Sequence, residues 1–287
     1  MDSASWIAFS QLVEKNGSSK KNALMKYLPT QEQKKLAQTP PYKGSSFKNP
    51  LSTQNRVSQV HYSWLITFLE PFAEKDKALI IAAFDKNQSK KLCTHFKIHE
   101  NLPSISAYSQ TYILNTTYNW LVSKQTNFVP MEFLPTHPLN GLLSLSKSEI
   151  QRLVDFLGLH DLAAEIRHVV KTDQIKKIQL MLTDNQQKYM QSLLKGKEPI
   201  FFVRLNLDGW DGNKDKLKTI LHHRGFNRLA KSIFGCHPSF LWHICHTLDT
   251  GRTKILRKFF KNINNEEVHE LLIKQVQELI PMVQKEI

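Results

Sequence analysis

Two stretches of this chain carry the same arrangement of apolar residues, and that repetition limits the folds open to it more than any other feature. They run from about 149 to 194 and from 215 to 260. At an offset of 67, Ile150, Leu153 and Val154 fall on Leu217, Ile220 and Leu221, while Gly158, Leu162, Ala163 and Ile166 fall on Gly225, Leu229, Ala230 and Ile233. One residue is then lost in a turn. At 66, Ile175, Ile178 and Leu182 fall on Leu241, Ile244 and Leu248, and Tyr189, Met190, Leu193 and Leu194 on Ile255, Leu256, Phe259 and Phe260. Apolar residues three and four apart mark helices with one buried face. Four such helices keeping register twice describe a repeated unit that buries its face against its own copy.

The second copy predicts four short helices. Gly225 separates the first two, and Gly235 stands where a helix ends most cheaply in a left-handed residue. Pro238 fits the first turn of the third helix, where no hydrogen bond is lost. Asp249 or Thr250 caps the fourth, whose face of Ile255, Leu256, Phe259 and Phe260 points inward. Helical geometry then leaves Arg252, Lys254, Arg257, Lys258 and Lys261 outward, so these five are the predicted partner-binding residues, suited to an acidic protein surface.

The wording around Leu207, Asp208, Leu217, Ile220, Leu221, Leu229, Ala230, Gly235, Leu248, Arg252 and Leu256 resembles the C-terminal half of FliG, the flagellar motor switch family. WLITFLEPFAEKDKALIIAAFDKNQSKKLCTHF is similar to that family's middle segment. FliG-like and SctK-like components also occur in the cytoplasmic sorting platform of type III secretion systems. The resemblance implies an all-α fold of armadillo-like helical modules, at least two in tandem. It also implies a non-catalytic scaffold in a cytoplasmic ring whose partners are other ring proteins or further copies of itself. Its motor-type alternation of acidic and basic charge is not reproduced here, which favours a secretion platform over a rotor.

The chain has 287 residues, 41% hydrophobic and 22% charged, with only ten glycines. This suits helices joined by short loops. MDSASWIAFSQLVEK lacks the basic and apolar blocks of a signal peptide, and no run approaches the roughly 18 apolar residues of a membrane span. With Cys93, Cys236 and Cys245 scattered and odd in number, a cytoplasmic location is expected, at most peripheral to the inner membrane. The net charge of +14 opens a second functional reading, a helical-repeat nucleic-acid binder. Its cations are concentrated between Lys214 and Lys261, where eleven basic residues meet two acidic ones, a net +9.

The pattern divides the chain into short N-terminal helices over 1–38, a linker over 39–59 and a helical module over 60–126. A second linker over 127–140 leads to the first repeat over 141–196, a connector over 197–213 and the second repeat over 214–262. A capping helix follows over 263–287. Thr30 and Gln33 have the spacing of a capping box, and Ser104 or Ser106 is placed to cap a helix reaching about Val122. Tyr108, Tyr112, Ile113 and Trp120 on that helix are assigned to the core. Phe201, Val203, Leu205 and Leu207 alternate within an extended connector.

Residues able to do chemistry are few. Cys236, His237, His243, Cys245 and His246 lack the tight Cys pair of a zinc site. Asp208, Asp211, Asn213 and Asp215 lack the glycine and closing Glu of a calcium loop and fit a helix-capping turn instead. His222, His223 and Arg224 are expected at a solvated helix end. No phosphate-binding glycine loop or nucleophile motif occurs, and no catalysis, metal or cofactor is expected.

Overall fold

The computed structural model describes residues 6, 9, 10, 13, 23–39, 53–167, 172–196, 204, 205, 207 and 210–285. Among these residues every regular element is helical and there is no strand. The helices are α1 Thr30–Gln38, α2 Thr53–Ser58, α3 Tyr62–Leu69, α4 Glu74–Ile81, α5 Lys86–Phe96, α6 Ala107–Val122, α7 Lys147–Ile166, α8 Thr172–Gln179, α9 Asp184–Lys195, α10 Lys214–Ser232, α11 Pro238–Thr247, α12 Thr250–Lys258 and α13 Glu266–Lys285. Short 3₁₀ turns form at Met131–Phe133 and Asn140–Ser144. The expected alternation of Phe201 and Val203 falls on residues outside the described ones, as does Asp208.

The chain folds as two compact units, one of residues 1–136 and 237–250, the other of 137–236 and 251–287. In the first, Leu65 and Leu69 of α3, Ile81 of α4, Leu92 of α5 and Leu114 and Leu121 of α6 pack with Val57, Val60 and Trp242. The linker expected over 39–59 is therefore structured at its end. Val57 of that linker and Val60 just after it are core residues, and the buried Gln88 amide donates to both of their carbonyls at 2.8 and 2.7 Å. The linker over 127–140 also packs in part. Its Phe128 ring meets Trp242 edge-on at 4.8 Å, and Val129 N–H donates to Ser239 Oγ at 2.9 Å.

Helix α11 was expected to complete the second repeat, yet it belongs to the first unit. Its Trp242 and His246 rings stack, and His246 also lies 4.3 Å from Trp64. Trp64 Nε1–H donates to Leu248 O at 2.9 Å, and His61 N–H to His246 O at 2.7 Å. Aromatic burial and edge contacts outweigh the aliphatic period that the two copies share.

In the second unit the two glycines do not end helices. Helix α7 runs unbroken through Gly158 and α10 through Gly225. A Cβ on Gly158 would lie 2.3 Å from Leu221 O, and one on Gly225 would sit still closer to Val154 O. Exchanging each residue for the one 67 away turns the first contact into the second. The same exchange maps Asp155 onto His222, which pair at 2.8 Å, and Asp161 onto Arg228, whose Nε donates at 2.9 Å. Equivalent positions meeting one another are the signature of a local two-fold, so the repeat is realised as a pair of helices wrapped about a pseudo-dyad. Helix α13 packs on both helices of the pair.

Local signals behave more simply. Gly235 has φ +84°, Ser106 caps α6 through Ser109 N–H, and Asn213 caps α10 through Lys216 N–H. The capping box at Thr30 does not form: Pro29 precedes the helix, and the Gln33 amide donates to Leu28 O instead.

Candidate docking surface

Helix α12 positions most of the predicted cations. Thr253 and Leu256 are its buried residues, and Phe234 and Phe260 rings lie 5.1 Å apart just beyond its end. Lys254, Arg257 and Lys258 are exposed. Lys261 is exposed too, but it follows the helix, which stops at Lys258, so it extends the row onto the loop after it. Arg252 departs from the expectation: it is half-buried and already holds an interaction, so it supports the helix rather than the outward row. Phe259 and Phe260 are half-buried rather than core residues, because the helix ends before a further turn could carry them inward.

Arg257 and Lys258 occupy the last turn, where the carbonyl end of the helix favours cations by roughly 0.3–1 kcal/mol each. That offsets part of their mutual repulsion. Lys254 and Lys261 have no such compensation from the helix.

The +9 of the second repeat is partly internal. Arg228 is 0% exposed and donates through Nε and Nη2 to Asp161, and through Nη1 to Gln275 Oε1 at 2.8 Å. Arg224 Nε lies 3.8 Å from the other Asp161 oxygen. Burial lowers the Lys231 pKa, an effect that Asp161 counters. His222 and Arg224 were expected at a solvated helix end, but because α10 continues past Gly225 they stand mid-helix and face the acids of α7. One acid of the first repeat, Asp161, thus sits among three cations of the second, and the exposed cations of that repeat are Lys214, Lys216 and Lys218 of α10 and the row on and after α12.

The cysteines and histidines separate. Cys245 is buried in α11, His237 caps that helix through Ser239 N–H, and His246 stacks on Trp242. His243 contacts Phe128, and its burial pushes the ring pKa down to about 4. Cys236 lies 3.7 Å from His137 Nε2 in the second unit. Burial raises that thiol to about 11 and, with His269 nearby, lowers the His137 pKa, so the pair stays thiol and neutral imidazole at neutral pH. Among the described residues no group of three or more His, Cys, Asp or Glu is arranged to hold a metal ion. Nor is any helix among them long and apolar enough to cross a membrane.

Two features escaped the sequence reading. Asp161 and Arg228 occupy equivalent places in the two copies, a signal visible in the alignment itself. Tyr108 and Tyr112, assigned to the core, are 84% and 66% exposed, and Trp120 is exposed beside them. The buried line of α6 is Leu114, Thr117 and Leu121, with Ile113 and Tyr118 at its margin. Aromatic spacing marks a helix face without saying which face is inward. Compared with family models, curated proteins and solved structures, the chain matches none.

Proposed function

We propose that this protein is a non-catalytic helical adaptor that works by protein–protein assembly, docking an acidic partner surface on Lys254, Arg257, Lys258 and Lys261. The observation that carries this reading is their exposure on, and for Lys261 just after, a short helix anchored by Leu256 and Thr253. Long cationic side chains on a fixed backbone are suited to steering and registering a partner of opposite charge. The resemblance to FliG supplies the setting: a cytoplasmic ring of the type III secretion or flagellar kind, with assembly at the inner-membrane face.

The test is the double reversal Arg257→Glu, Lys258→Glu in the full chain. Far-UV circular dichroism should be unchanged, since both residues are exposed, and capture of secretion-ring partners should be lost. Unchanged capture by the reversed protein refutes the docking role. If instead the wild type retains DNA or RNA with an affinity that falls steeply with salt, and the reversal lowers that slope, the basic surface serves nucleic acid.

A further inference from the structure

From Asn101 to Ser123 the chain has no charged residue, although its net charge is +14. Most of that run is α6. Its exposed side carries Tyr108, Thr111, Tyr112, Asn115, Thr116, Asn119 and Trp120. At 100° per residue these seven span about half of the helix circumference, so they form one face and not scattered points. Near Trp120 the face continues over Phe68, 5.2 Å away, onto the exposed Phe72 ring.

We propose that this face binds a second copy of the same chain about a two-fold axis. Three physical reasons select that occupant. Two molecules at +14 repel wherever their cations approach, so the uncharged helix is where contact costs least. An acidic partner or a nucleic acid would gain no charge attraction from a face without cations. Near the axis of a two-fold contact a residue also meets its own kind, and a Tyr hydroxyl or Asn carboxamide tolerates that, because it donates and accepts at once. Finally, the face is one side of a single exposed helix. It encloses no small molecule, while a helix ridge fits the groove of another helix. Tyr and Trp enrichment with charge depletion is the composition of an interface centre.

Size sets the strength. A 16-residue helix is about 24 Å long, and one such face buries on the order of half of the ~800 Å² per partner typical of stable complexes. The dimer is therefore weak and becomes substantial only where the protein is locally concentrated.

The experiment is sedimentation equilibrium of the full chain up to about 1 mM, for wild type, Tyr112→Lys and Tyr112→Glu. Each variant should weaken the dimer at least tenfold without loss of helical signal, because the side chain is exposed. An equimolar mixture of the two should recover dimer, since near the axis lysine of one copy meets glutamate of the other. Monomeric wild type at every concentration overturns the proposal, as does a dimer that both single variants leave intact. Failure of the mixture to re-associate overturns the two-fold geometry. None of these variants touches α12, so the outcome is separate from that of the docking test above.

Discussion

Replacing Gly225 by alanine tests the crossing of α7 and α10. In an ordinary helix the change stabilises by roughly 0.5–1 kcal/mol, because glycine loses the most freedom on folding. Here the new Cβ collides with the Val154 carbonyl, with its carbon only 2.7 Å away. The obstacle is main chain in a regular helix, so no rotamer relieves it and the helices must part. Overpacking of this kind costs about 1–3 kcal/mol, and opening the interface also strains Asp155–His222 and Asp161–Arg228. A net loss of about 3 kcal/mol is expected. Gly158→Ala, blocked by Leu221 O, should cost a similar amount. The double variant should cost clearly less than the sum, because one separation relieves both collisions across the pseudo-dyad. Gly196→Ala, whose Cβ meets nothing nearer than 3.9 Å, is the neutral control. Urea unfolding followed by circular dichroism gives the comparison. An alanine at 225 as stable as wild type, or strictly additive losses, would refute the crossing.

Three further outcomes follow from the same geometry. Asp161→Ala strands the buried Arg228 guanidinium and should cost about 3–5 kcal/mol in urea unfolding. Exchanging the pair, Asp161→Arg with Arg228→Asp, should recover part of that loss, since the two positions are related by the local two-fold. For pH, the unfolded chain protonates His243 near 6.5 and the folded chain only near about 4, so stability contributed by the neutral ring is present above pH 6.5 and lost as pH falls through that window. Between pH 7 and 5 this amounts to about 2 kcal/mol, read as a falling urea midpoint by tryptophan fluorescence, and His243→Gln should flatten the dependence. Glu132, whose carboxyl burial holds above its usual range, acts with the opposite sign near the acid end, which is why the variant comparison and not the raw slope is decisive.

The proposed docking and self-association surfaces differ in charge. In a chain carrying +14, the exposed side of α6 holds no charged residue, while exposed cations stand on and after α12.

The helical period, a cap at Ser104 or Ser106, a capping turn ahead of α10, the left-handed Gly235 and the proline opening α11 were all legible in the chain, because each depends on neighbours within a turn or two; the structure selects Ser106 and Asn213 as the caps. The 67-residue offset was legible as well, and with it the pairing of Gly158 with Gly225. What that pairing meant was not. Glycine at a fixed place in two apolar helices suits a turn or a close crossing equally well, and only the Val154 and Leu221 carbonyls lying against those positions select the crossing. The same limit explains α6 and α11. Periodicity locates a stripe but is blind to what faces it, so exposed tyrosines read as core, and a helix whose aromatics fit another unit read as part of its repeat. Local sequence sets which residues share a face; the partner that buries one face and leaves another open is chosen by long-range packing, and that choice belongs to the tertiary structure.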